Sequence, residues 1–204
     1  MDKQNQAIPI LEVKNVSKDF SGVYALKNVD LQIYTGEVTA IPAEGTLLPD
    51  TYSYALNEDR QVVLDRMVAA MSDALDAAWV ARASDTMVTT KREALILASI
   101  VEKETAIKSE RPLVSSVYSN RLRQGMRLQA DPTLVYYLSE GTGRLGRGLK
   151  RSELQDSSNP YNTYRHNGLP PGPIANPGIG AIEAALAPAS TDFIFFVAGC
   201  EGST

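Results

Sequence analysis

The sequence has few of the residues on which several kinds of functional site depend. It contains one cysteine, Cys200, which cannot form an internal disulfide, and one histidine, His166, which excludes a two-histidine metal site. It has no second cluster with zinc-ligand spacing and no G-x-S-x-G nucleophile elbow. We therefore predict no metal, no other cofactor and no Ser-His-Asp triad.

Charge and hydropathy exclude further classes of partner and location. The formal net charge of -4 gives no overall basic field, so nucleic acid is not an expected partner. No apolar run approaches the roughly 20 residues of a membrane span. The N-terminus also lacks the apolar core of a signal peptide. The sequence as written therefore predicts a soluble, cytoplasmic chain without a means of export.

One apolar segment carries a carboxylate where another aliphatic side chain is expected. Residues 95–105 have helical spacing, and four aliphatic residues share one face: Ile96, Leu97, Ile100 and Val101. Glu104 is the next position on that face, whereas Glu102 falls on roughly the opposite side. Loss of water would raise the pKa of Glu104 toward that of a general acid. The alternative is that Glu104, in the last turn, reaches solvent.

The remaining pattern predicts an α+β fold, with a mostly helical core, short strands and a small N-terminal antiparallel β segment. Alternating residues predict three N-terminal strands: Ile10 to Val16, Ala25 to Ile33 and Glu37 to Ile41. Helical spacing predicts these helices: about Asp59 to Ala83, Lys91 to Ile107, Arg111 to Gln124 and Ile179 to Leu186. In the third of these, Leu113, Val117 and Leu122 are expected to pack inward. Phe193 to Val197 is predicted as a last strand.

Three loop motifs allow more than one interpretation. Asp131 followed by Pro132 is typical of a helix N-cap, which we favour over a second catalytic carboxylate. The glycines of 141–146 match G-x-G-x-x-G, but the match follows a predicted helix rather than a strand, so a dinucleotide site is not predicted. The Tyr- and Asn-containing segment 161–164, followed by the Pro- and Gly-rich segment 168–173, suits either a sugar subsite or a rigid surface turn.

Several motifs occur in order: Ala98-Ser-Ile-Val-Glu-Lys-Glu104-Thr, Asn120-Arg-Leu, Met126-Arg-Leu-Gln129-Ala-Asp131-Pro-Thr, and Tyr161-Asn-Thr-Tyr164 with Gly168-Leu-Pro-Pro-Gly-Pro-Ile174. Together they resemble the endolytic murein transglycosylase family, the YceG-like proteins, over about residues 45–198. Leu48-Pro-Asp-Thr-Tyr52 also resembles the start of that family's catalytic domain. In the family, the glutamate directly before the threonine of Glu-Lys-Glu-Thr is the catalytic acid, which maps onto Glu104.

The resemblance implies cleavage of peptidoglycan glycan strands between N-acetylmuramic acid and N-acetylglucosamine, without water as the nucleophile. Glu104 would protonate the glycosidic oxygen and then, as a carboxylate, withdraw the proton of the muramoyl C6 hydroxyl, which closes on C1 to give a 1,6-anhydro end. The implied groove residues are Asn120, Gln129, Asp131, Tyr161, Asn162 and Tyr164. Asn120 and Gln129 could as easily tie loops to helices. The family acts at the periplasmic face of the bacterial inner membrane, with the cell-wall synthesis machinery as an implied partner.

Residues 8–38 resemble something unrelated, the opening strands of an ABC-transporter ATPase of the sugar-import type. The phosphate-binding loop G-x-x-x-x-G-K-[ST] that follows in such ATPases is replaced here by Thr39-Ala-Ile-Pro-Ala-Glu-Gly-Thr46. Without that loop we expect no ATP binding or hydrolysis.

The two resemblances predict a fusion of an N-terminal β segment, residues 1–41, with a catalytic domain, residues 42–204. The tail after Val197 lacks the family's Gly-Gly-His-x-Phe segment, so the catalytic domain is expected to be C-terminally truncated. The leading interpretation is a peptidoglycan lytic transglycosylase. The alternatives are an inactive glycan-binding or scaffold fragment of that family and an ABC-type nucleotide-binding fragment.

Overall fold

The computed structural model describes residues 9–20, 23–34, 42–55 and 58–197. The chain divides into two units, residues 1–41 and 42–204. In the first unit, β1 (Pro9–Phe20) and β2 (Val23–Tyr34) pair antiparallel, with several register shifts along the ladder. The predicted third strand, Glu37 to Ile41, lies outside the described residues.

The second unit is built from helices and loops. Its helices are α1 (Arg60–Val80), α2 (Lys91–Glu104), α3 (Arg111–Arg123), α4 (Asp131–Leu138), α5 (Arg151–Gln155) and α6 (Ile179–Leu186), with a 3-10 turn at Lys108–Glu110. Residues 42–55 and 58–197 contain no strand, so the prediction of a mostly helical core is confirmed. Among the described residues, no helix has the length and apolar character needed to cross a membrane.

Helix α2 has clear start and stop signals in the sequence. Thr90 and Glu93 form a capping box, in which the Thr90 hydroxyl accepts from the Glu93 N–H and the Glu93 carboxylate accepts from the Thr90 N–H. The helix ends at Glu104, three residues before the predicted end. The Thr105 hydroxyl accepts from the Ile107 N–H at 3.0 Å and donates to Glu110 at 2.8 Å, so it competes with continued helical bonding.

Helix α2 lies at the centre of the unit, in contact with α3, α4 and α6. The four aliphatic residues predicted to share one face are buried, and so are Ala94, Ala98 and Ser99, so the helix is enclosed nearly all round from residue 94 to residue 101. Burying apolar surface in this way is the main favourable contribution to folding. Residues 102–104, at the C-terminal end of the helix, follow directly after this buried stretch and are partly or fully exposed.

Helix α3 presents a different inward face from the predicted one. Val117 is buried as predicted, but Leu113 is exposed, and Val114 and Tyr118 take the inward positions instead. At the start of α3, the buried Arg111 donates to Glu102 Oε1 at 2.7 Å.

The predicted strand Phe193 to Val197 does not form. Its carbonyl oxygens are bound by side chains of α3 instead of by a neighbouring strand. Asn120 Nδ2 donates to the carbonyls of Thr191 and Phe193, at 2.8 and 2.9 Å, and Arg121 Nε donates to that of Ile194 at 2.7 Å. The aromatic, β-branched composition predicted a strand, but a strand also needs backbone pairing, which this segment lacks within the described residues.

Removal of the Glu102 charge is expected to destabilise the fold without touching the candidate site described below. Glu102 joins Arg111 to the start of α6, because its second oxygen accepts from the Gly178 N–H at 3.1 Å. We expect Glu102→Gln to lower the free energy of unfolding by about 1–3 kcal/mol, since a charged hydrogen bond to a buried guanidinium is lost. Thermal and urea unfolding would measure it. The exposed Glu183→Gln on α6 is the control, with an expected change of about 0.5 kcal/mol or less; equal losses for both variants would contradict the role given to Glu102.

Candidate active site

Glu104 is the last residue of α2 and is half-buried at the edge of the core. Its Oε2 accepts a hydrogen bond of 2.9 Å from the hydroxyl of Tyr118, which is 2 % exposed. No other hydrogen bond to this carboxyl occurs within the described residues. The ring of Phe196 packs edge-on against Tyr118, with the centroids 5.8 Å apart. The carboxyl is thus fixed through one oxygen by a buried phenol.

The surroundings of Glu104 favour its protonated form. Burial raises the pKa of Glu104, the negative charge of Asp131 raises it further, and the hydrogen bond from Tyr118 partly opposes both. The Tyr118 hydroxyl keeps its proton because burial and the neighbouring Glu104 raise its pKa. This is the electrostatic setting of a general acid, a carboxyl whose pKa lies above the usual range.

A cleft of about 290 Å³ opens in front of Glu104. It is lined by Lys103, Glu104, Asp131, Pro132, Val135, Tyr136, Gly143 and Ile174. Ile174 is positioned by the buried Ser99, whose hydroxyl accepts from the Ile174 N–H at 3.0 Å and donates to the Ile96 carbonyl at 2.7 Å. The second half of α2 therefore carries Glu104 and, through Ser99, positions Ile174 of the cleft lining.

The start of α4 also lines the cleft, and buried hydroxyls fix it to the loop 159–166. Thr163 Oγ1 accepts from the Ala130 N–H at 2.9 Å and lies 3.0 Å from the Thr133 hydroxyl. This contact brings Tyr164 next to Asp131, and the Tyr164 hydroxyl donates to Asp131 Oδ1 at 2.5 Å.

The prediction that Asp131 caps α4 is wrong. The N-cap residue is Ala130, and Asp131 is the first residue of the helix, with its carboxylate lining the cleft. The cap position was misassigned because Asp-Pro occurs both at N-cap/N1 and, as here, one residue further into the helix, and the sequence does not distinguish these registers.

Three predicted groove residues lie near α4: Gln129, Tyr161 and Tyr164. Gln129 is exposed and has a left-handed backbone with φ of 52°, a conformation that costs a non-glycine residue energy and is enriched at functional sites. Tyr161 packs on Tyr136 of the cleft wall with the ring centroids 5.1 Å apart. Burial, the hydrogen bond to Asp131 and the charge of Asp131 raise the pKa of Tyr164, so it remains a hydrogen-bond donor.

The other two predicted groove residues, Asn120 and Asn162, use their side-chain amides for hydrogen bonds within the protein. The Asn120 amide donates to the segment 191–193, and its oxygen accepts from Arg123 at 2.6 Å. Asn162 is fully buried, donates to the carbonyls of Glu153 and Asp156, and accepts from the Tyr164 N–H at 3.0 Å. The donors and acceptors of both amides are bonded within the protein, so these side chains fix the conformation of loops instead of contacting a ligand.

Sequence reasoning missed Tyr118 as a member of the site. The signal was present, because Tyr118 follows Val114 by four positions and so lies on the buried face of α3, where its hydroxyl needs a partner. Lys103 and Tyr136 were also missed as cleft residues. Glu44 lies near both: burial raises the pKa of Glu44, the charge of Lys103 partly opposes this, and the charge of Glu44 helps to raise the pKa of Tyr136.

The other candidate motifs have structural explanations. His166 Nε2 lies 3.2 and 3.1 Å from the carbonyl oxygens of Ser157 and Asn159, which makes it part of a loop. The glycines 141, 143 and 146 have positive φ and form a turn after α4. In the described part of the chain, no group of three or more His, Cys, Asp or Glu residues could hold a metal ion.

Comparison with known proteins gives the family of the chain. The model of the YceG-like family matches residues 2–204. The chain belongs to the YceG-like family. A curated relative, the endolytic murein transglycosylase of Bacillus subtilis, is 37 % identical over 164 residues, which cover 79 % of this chain and 43 % of that protein. The chain therefore spans less than half the length of this relative.

A solved structure supports the fold assignment of this YceG-like chain. The crystal structure of a YceG-like protein from Listeria monocytogenes matches with a TM-score of 0.59 and 34 % identity, covering 76 % of this chain and 49 % of that one. A separate short match concerns another class of protein. The ribose import ATP-binding protein of Clostridium tetani is 51 % identical over 45 residues, which is 22 % of this chain and 9 % of that protein.

The hydrogen bond from Tyr118 provides a test of the electrostatics that does not require activity. It stabilises the carboxylate form of Glu104, so Tyr118→Phe is expected to raise the pKa of Glu104 further above its usual range. NMR titration of the ¹³C-labelled Glu104 carboxyl would measure this shift. Tyr137→Phe is the matched control, because Tyr137 is exposed and stacks on Tyr161. A Glu104 pKa that is unchanged or lower in Tyr118→Phe would contradict the assignment.

Proposed function

We propose that this chain cleaves the glycan strands of peptidoglycan as a lytic transglycosylase, with Glu104 as the only proton donor and acceptor. The observation that carries the proposal is the state of Glu104: half-buried, hydrogen-bonded through one oxygen to Tyr118, and facing a cleft. The family and the printed name of the Bacillus subtilis relative supply the substrate class.

Glu104 has the properties that both halves of the reaction need. With its raised pKa, the carboxyl gives its proton to the glycosidic oxygen as the bond between that oxygen and C1 of N-acetylmuramic acid breaks. The carboxylate that remains is stabilised by the Tyr118 hydroxyl. It then takes the proton of the C6 hydroxyl as that oxygen bonds to C1. The products are a 1,6-anhydromuramoyl end and a free N-acetylglucosamine 4-hydroxyl, and no water is consumed.

The choice of the C6 hydroxyl over water rests on the relatives and not on distances in the cleft. Hydrolytic glycosidases use two carboxylates in the chemistry, one as acid and one as base or nucleophile. In the proposed reaction the substrate supplies its own nucleophile, so one acid that recovers its proton is sufficient.

Four of the six predicted groove residues remain proposed glycan contacts: Gln129, Asp131, Tyr161 and Tyr164. Asp131 lines the cleft, Tyr164 donates to it, and Tyr161 packs on the cleft residue Tyr136. Tyrosine rings beside carboxylates suit a sugar, which has apolar ring faces and many hydroxyls. Asn120 and Asn162 are left out because their amides are already bonded.

The same proposal gives the organisation of the chain. Residues 42–204 are the catalytic unit, and residues 1–41 derive from the start of a sugar-import ATPase, without the phosphate-binding loop and without ATP hydrolysis. The expected place of action is the bacterial cell wall, with the cell-wall synthesis machinery as a partner.

The proposal is tested by comparing the chain and its Glu104→Gln variant on purified murein, with mass spectrometry of the products. Fragments with 1,6-anhydro ends are expected from the unmodified chain. The variant should be slower by about 10²- to 10⁴-fold, since the amide cannot transfer the proton. Binding of glycan strands should be retained, because the shape of the side chain is kept.

Glu102→Gln is the matched control, since this glutamate, two residues away, faces Arg111 and not the cleft. At a temperature below its unfolding transition, Glu102→Gln should cleave murein at the rate of the unmodified chain. Glycan binding without any anhydro product from the unmodified chain would instead assign it as an inactive glycan-binding fragment. Products with reducing ends would show that water is the nucleophile.

A further inference from the structure

Two carboxylates with different surroundings line the cleft. Glu104 is half-buried and has its pKa raised by burial, whereas Asp131 is exposed in the first turn of α4. Two carboxyl groups in one glycan-cleaving site can have separate tasks, one as the acid and one as a fixed negative charge. The proposed function uses only the first of these two groups.

We propose that Asp131 is a second catalytic residue, whose carboxylate stabilises the positive charge that develops at C1 of the sugar when the glycosidic bond breaks. This inference rests on the proposed function and adds a role that the single-acid mechanism does not require. Asp131 lines the same cleft as Glu104.

Two contacts position the Asp131 carboxylate in the cleft. The Tyr164 hydroxyl donates to Oδ1 at 2.5 Å, and a hydrogen bond donated to a carboxylate stabilises its charge. The position of Asp131, as the first residue of α4, places the charge at the positive end of the helix dipole. Its charge acts within the cleft, because it raises the pKa of Glu104.

Asp131 forms and breaks no bond in this scheme. The electron pair of the C1–oxygen bond leaves with the glycosidic oxygen, which takes the proton of Glu104. The sugar ring then carries a positive charge shared between C1 and the ring oxygen, until the C6 oxygen bonds to C1. A fixed carboxylate near this charge needs no reorganisation during the reaction, which is how preorganised electrostatics lower a barrier. Removing such a group typically costs about 10²-fold in kcat.

The test separates this role from the proposed function by measuring binding instead of turnover. The probes are N-acetylglucosaminyl-isofagomine, an imino sugar with a protonated nitrogen at the position of C1, and the neutral disaccharide chitobiose. Calorimetric titrations are made in Glu104→Gln, where residue 104 carries no charge and no turnover occurs. The cationic probe should bind at least about 10-fold more tightly than chitobiose, and adding Asp131→Asn should remove most of this preference.

Glu44→Gln, added to Glu104→Gln, is the local charge control. Glu44 lies near the cleft residues Lys103 and Tyr136, and its replacement should leave the preference for the cationic probe in place. An equal loss in the Glu44 variant, or equal binding of both probes in Glu104→Gln, would overturn the role of Asp131 even if the chain cleaves murein. The Glu104→Gln variant could prefer the cationic probe while the unmodified chain gives no anhydro product. That result would overturn the proposed function and keep the charge role of Asp131.

In turnover, Asp131→Asn alone should lower kcat on murein by about 10²-fold while glycan binding changes little. Circular dichroism and thermal unfolding show whether the variant is folded. A folded Asp131→Asn variant with unchanged kcat would also overturn the proposal.

Discussion

The hydrogen bond from Tyr118 to Glu104 is the contact on which the candidate site depends. Helix α2 is enclosed by apolar groups up to Val101, so a carboxyl at its last residue leaves the core with much of its hydration lost. Such a group must either keep its proton or find a donor. The buried phenol supplies the donor, and burial raises the pKa. Glu104 is therefore stable enough in both protonation states to move between them, which an acid that becomes a base requires.

The rest of the site is held by buried polar groups that bind the backbone of loops. Ser99 holds the loop at Ile174, Thr163 holds the start of α4, and Asn162 organises the segment that presents Tyr164. Each of these side chains is almost fully buried, where an unpaired polar atom would be costly. Their hydrogen bonds thus stabilise one arrangement of long loops that have few apolar residues of their own.

The sequence predicted the features of the fold and of the candidate site that depend on local periodicity. The mostly helical core, the start of α2 and the difference between Glu102 and Glu104 follow from helical spacing and capping residues, and the structure has each of them. The features that depend on distant partners were not predictable in this way. Asn120 binds the segment 191–193, more than 70 residues away, and its role could not be read from its neighbours. The conformation of residues 193–197 also depends on distant partners, because side chains of α3 bind their carbonyl oxygens.

Ionisation of Glu104 has a cost for the fold. Because the pKa of Glu104 is raised in the folded chain, its contribution to stability is complete below the unfolded value and is lost as the pH rises through the folded one. The charge of Asp131 adds to this loss at neutral pH, while the Tyr118 hydrogen bond offsets part of it. An apolar residue at position 104 would avoid the cost and continue the buried face of α2. A glutamate that weakens the fold when it ionises, with the charge of Asp131 making that ionisation harder, has no packing advantage; the proton transfer proposed for the cleft accounts for it.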